Sequence, residues 1–190
     1  MDLSERLAGV TSHLGVIRKR YVDALALEEV AVKKETEIGE WYSSCVRAFT
    51  NKQDDETAAT VVQARECYKA TVAKSEQLAD AVELYSSEIA HFVRMETVLT
   101  LQLQIAAEKD RLEMSLRHAK TTDQLAQDQY GAMLYQMESP DHNPDDLRSA
   151  LEVAYEATVA ADDALGQLIQ ESAEVSKAYE TIMAEWAKLV

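Results

Sequence analysis

Few residues in this chain have the type and spacing to do chemistry, and each group falls short of a complete site. Glu88-Ile-Ala-His91 sets a carboxylate and an imidazole on one helical face, the spacing used in carboxylate-bridged di-iron bundles. Such a centre needs a second pair and two further carboxylates aimed at it. The other histidines, His13, His118 and His142, have no Glu three residues earlier, so the motif reads as a coincidence on the polar face of a Glu-rich helix. Cys45 and Cys67 are two thiols in a helical pattern, which read as small buried hydrophobes rather than as a pair. There is no Cys-x-x-Cys, no nucleophile elbow and no Gly-rich phosphate loop. The sequence gives no basis for a catalytic residue, a metal ligand or a cofactor.

Basic residues are the other candidates. Lys109, Arg117 and Lys120 fall within about 80° of one another on a helical wheel, a stripe suited to a membrane or an acidic partner. Glu113 and Asp123 lie on the same side, which favours an ordinary solvated face of mixed charge. Arg18-Lys19-Arg20 is the densest basic triplet and has the same two readings. The chain as a whole is acidic, with 34 Asp and Glu against 19 Lys and Arg, net −15. That charge repels phosphate backbones and argues against nucleic-acid partners. No run approaches the ~18 apolar residues of a membrane span, and Met1-Asp2-Leu3-Ser4-Glu5 lacks the basic and apolar regions of a signal peptide. A cytoplasmic chain is expected.

The elements that carry these residues follow from the breakers. Only 5 Gly and 2 Pro occur, and residues 40 to 130 contain neither. Sheets need turns at shorter intervals, so long helices remain. Leu3, Leu7, Val10, Leu14, Ile17, Tyr21 and Ala24 recur at alternating spacings of four and three, continued by Ala31, Ile38, Tyr42, Cys45 and Phe49. This is a coiled-coil seam. Glu28 and Glu35 fall on it, and a bend or register change is expected between 27 and 37. A polar stretch at 50 to 57 predicts the first turn. Val61, Tyr68, Val72, Leu78, Val82, Tyr85, Ile89, Phe92, Leu99, Leu103, Ala106, Leu112 and onward to Met137 predict a second helix of ~120 Å if continuous. Ser139 to Asp146 holds both prolines and predicts the second turn. Leu147, Leu151, Ala154, Thr158, Ala161, Leu165, Leu168, Ser172, Val175, Tyr179, Ile182, Trp186 and Leu189 give the cleanest heptads, and the pattern runs to the last residue.

The expectation is therefore all-α: a single domain over 1–190, an elongated antiparallel three-helix coiled-coil bundle with helices at about 3–49, 57–138 and 146–190. Helix one would lie along one half of helix two and helix three along the other, leaving seam surface for a second copy. The expected dimer interface is Leu78, Val82, Tyr85, Ile89, Phe92 and Leu99.

The layout of short, very long and intermediate helices resembles the BAR domain that follows the PX domain in sorting nexins. Two stretches carry the likeness: VTSHLGVIRKRYVDALALEEVAVKKETEIGEW, Val10 to Trp41, and QLADAVELYSSEIAHFVRMETVLTLQLQIAAEKDRLEMSL, Gln77 to Leu116. They are similar to the opening helix and the middle of helix two in the nexins of endosomal recycling and autophagy. The resemblance implies a BAR-like homodimer, or a heterodimer with a related BAR protein. It would scaffold or sense curved endosomal membrane, with Lys109, Arg117 and Lys120 as the membrane-facing candidates. No PX domain is present in the sequence, so phosphoinositide recognition falls to no residue here. The competing expectation is a membrane-independent coiled-coil adaptor or structural scaffold.

Overall fold

The computed structural model describes residues 2–137 and 147–190 in full and the backbone of 144–146. Three helices account for nearly all of it: α1, Leu3–Lys52, α2, Asp55–Met137, and α3, Pro144–Leu189, with no strand among the described residues. They hold 50, 83 and 46 residues, in the order the apolar rhythm predicts.

The first turn is tighter than expected. Instead of eight polar residues it takes only two. Lys52 still belongs to α1, whose last turn carries exposed Thr50, Asn51 and Lys52 beyond the apolar seam. Gln53 then adopts a left-handed conformation, φ 51°, and its N–H closes the helix on the Phe49 carbonyl at 2.8 Å. Asp54 opens α2: its Oδ1 accepts from the Thr57 backbone N–H at 2.8 Å and from the Thr57 hydroxyl at 2.6 Å. These bonds hold the Asp54 carboxyl below its ordinary value of 3.8. At the other end of α1, Glu5 accepts from the Asp2 backbone N–H at 3.1 Å. The residues expected to form the second turn lie largely outside the described ones. α3 starts at Pro144, two residues before the expected 146, with proline at a position that needs no N–H.

The chain divides into two compact units that share α2. The first ends at Thr97 and the second begins at Val98. In the first, His13 meets Phe92, Thr11 bonds Glu96 and Tyr42 stacks on Tyr68, so as numbers rise on α1 they fall on α2 and the pair is antiparallel. In the second, Gln102 meets Met183, Lys109 meets Tyr179 and Tyr130 meets Tyr155, the same relation between α2 and α3.

The seam is where the spacing put it except at two helix ends, where Phe49 in the last turn of α1 and Met137 in the last turn of α2 are 36 % and 40 % exposed. On α1, Leu14, Ile17, Ala24 and Ala31 are buried, and Leu3, Leu7, Val10, Tyr21, Ile38, Tyr42 and Cys45 are half-buried. Glu28 and Glu35 are half-buried in step with them, so the 4–3 register continues through 27–37 and the expected register change is absent. Every seam residue of α3 from Leu147 to Leu189 is buried or half-buried. Two neighbouring helices cover only one stripe of each other, and the core is correspondingly thin: among the described residues eight apolar ones are buried, half of them alanines.

Candidate interaction faces

The first unit carries its polar and cationic groups beside the α1–α2 seam. Its upper part is held by Tyr42 and Tyr68, ring centroids 6.0 Å apart and nearly parallel at 8°. Gly39 permits this approach, since a Cβ there would stand 3.3 Å from the Tyr68 ring. Below it, where the seam narrows to Ala31 and Ala70, a groove of about 440 Å³ opens between the helices. Leu27, Val30 and Leu78 line it, with Lys34 and Lys74 alongside. Leu27 is 58 % and Val30 66 % exposed. His13 leans on Phe92 at 4.5 Å, and His91 meets the same ring edge-on at 5.5 Å.

The second unit uses smaller and more acidic residues. Ala154, Thr158 and Ala161 form the early α3 seam, the first buried and the others half-buried. Gln102 is 1 % exposed, and its side-chain N–H donates to the Met183 sulfur at 3.4 Å. It sits seven residues after half-buried Met95 and fourteen before half-buried Leu116, a seam position that an apolar count passes over. Ser75 in the first unit was passed over for the same reason. These faces are half-covered apolar rows bordered by fixed charges.

The structure separates the residues singled out from the sequence. Leu78, Val82, Tyr85, Ile89 and Phe92 are half-buried on α2 within the first unit, whereas Leu99 is fully enclosed by its own chain. Leu99 therefore belongs to the core and not to a face open to a second copy, a correction to the expected interface. Of the basic stripe, Lys109 holds its ammonium 5.8 Å from the centre of the Tyr179 ring, and so reaches toward α3. Arg117 pairs with Glu113 at 2.6 Å on an exposed face. Lys120 is exposed. The stripe is thus partly engaged within the chain.

Glu88 is half-buried and His91 exposed, and the described residues contain no group of three or more metal-ligating side chains. His142 lies outside the described residues. Both thiols are free; Cys45 is half-buried as its seam position requires, while Cys67 is exposed, against expectation, because it falls off the seam. No described helix is long and apolar enough to cross a membrane. No protein-family model, curated protein or solved structure matches this chain.

Proposed function

We propose that the protein is a non-enzymatic, self-associating helical scaffold, a BAR-like module that dimerises and shapes or senses curved endosomal membrane in the manner of sorting nexins. The observation that carries this reading is the incomplete covering of its apolar rows. Leu27, Val30, Tyr155 and Ile169 are each more than half exposed, apolar surface that an interface with a second copy would cover. The helix order of 50, 83 and 46 residues also supports it. In this reading the protein is cytoplasmic and peripheral on endosomal membrane, and its partner is a second copy or a related BAR protein.

Lys109 over Tyr179 and Arg117 on Glu113 favour a second reading, an adaptor that associates without lipid. Small-angle scattering with vesicle co-sedimentation separates the two. A bent dimer that binds anionic vesicles supports the membrane scaffold. A straight dimer indifferent to vesicles supports the adaptor, and a monomer contradicts both.

A further inference from the structure

One row of α1 and one row of α3 are matched. On α1, residues at sevenfold spacing beside the seam read His13, Arg20, Leu27, Lys34 and Trp41, two cations and no acid. All five are exposed, Leu27 and Trp41 conspicuously for their size. On α3 the corresponding row reads Tyr155, Asp162, Ile169, Ser176 and Met183, with Asp162 its one acid and the exposed cation Arg148 one heptad before Tyr155. Tyr155 is 55 % and Ile169 53 % exposed. Each row spans 28 residues, ~42 Å of helix.

Both rows border α2. His13 touches Phe92 and Leu27 lines the α1–α2 groove; Tyr155 touches Tyr130 and Met183 accepts from Gln102. Each therefore widens a two-residue seam to three residues per heptad. A two-stranded seam uses only two; the third belongs where another helix nests into the pair.

We infer that the α1 row of one copy packs along the α3 row of a second copy. This rests on the reading of the chain as self-associating and names the faces that meet. Laid antiparallel, the rows place Trp41 on Tyr155, Lys34 on Asp162 and Leu27 on Ile169. Laid parallel, they place Arg20 on Asp162 and keep Leu27 on Ile169. In either direction a cation meets the acid and the aliphatic residues coincide. Lipid is the weaker occupant. It would suit the cations of α1, but the α3 row shows Tyr155 and Ile169 beside an acid, on the segment 139–190 that carries 11 acids and 3 bases.

The test is the dimer dissociation constant of the full chain by analytical ultracentrifugation, with circular dichroism to check that each variant stays helical. Asp162→Lys is expected to weaken the dimer about tenfold or more, because a like charge replaces the complementary one. Adding Lys34→Asp, or Arg20→Asp if the rows run parallel, restores it to within about threefold. Leu27→Ser and Ile169→Ser each weaken it without unfolding an exposed position. A wild-type monomer would remove the self-association reading itself. A dimer that ignores Asp162→Lys and Leu27→Ser would leave that reading standing and overturn these faces. A loss that neither second change repairs would overturn them as well. So would vesicle binding by phosphatidylserine membranes that is lost in Lys34→Asp while the dimer is unchanged, since the α1 row would then belong to lipid.

Discussion

The two units solve the same packing problem with different residues. The first, through Thr97, sets 17 acids against 12 bases; the second, from Val98, sets 17 against 7. The first places charge in its seam, with Glu28 and Glu35 half-buried, and closes with a two-residue turn capped by Asp54. The second keeps its early seam small, at Ala154, Thr158 and Ala161, and buries one amide, Gln102. The flanking rows differ in charge, with Arg20 and Lys34 on α1 and Asp162 on α3. If copies associate as proposed, this difference favours contact between unlike helix pairs over contact between like ones.

The largest effects should come from the thin cores, and they should stay within their own units. Leu14→Ala and Leu112→Ala each remove a side chain that is 2 % or less exposed. Each is expected to cost about 2–4 kcal/mol, because few neighbours can close the cavity. Hydrogen exchange would show Leu14→Ala loosening residues before 98 more than those after, and Leu112→Ala the reverse. Equal loosening on both sides would break the comparison.

The buried amide comes next. Gln102→Ala leaves a cavity and is expected to cost about 1–3 kcal/mol in thermal unfolding. Gln102→Leu fills the space, loses the bond to Met183, and should cost under about 1 kcal/mol. If the two variants are equally destabilised, the hydrogen bond matters more than the packing, and the second unit is held by polarity like the first.

These residues also mark what the sequence made legible. The 4–3 spacing placed α1 from Leu3 to Cys45 and all of α3, since only a helix with one covered stripe repays that rhythm. Gln102 and Ser75 escaped because their types argue against burial, and only their sevenfold distance from apolar neighbours betrays them. The first turn was overdrawn for a related reason: apolar spacing is silent where a helix continues in solvent. Leu99 was assigned to an interface because spacing shows which residues lie on a stripe, and not whether the chain itself already covers it. The exposed rows of α1 and α3 were in view as sequence, but their exposure required the pairing of each helix with α2.

The smallest effect concerns the turn. Asp54→Ala should fray the start of α2, with about fivefold faster exchange at Thr57 and its neighbours and little change elsewhere. Because the folded Asp54 carboxyl is held below 3.8 by Thr57, its contribution is complete above the ordinary carboxylate range. It is lost as pH falls through the lower folded value. The Thr57 amide resonance should report a titration midpoint below 3.8. A midpoint at or above it would mean that the cap gains nothing from the charge.

The central claim is that this chain leaves apolar rows for a second copy to cover. Sedimentation equilibrium of the full chain at micromolar concentration tests it most directly. The mass expected is twice 21.2 kDa. A mass of one chain, unchanged across that concentration range, would contradict it.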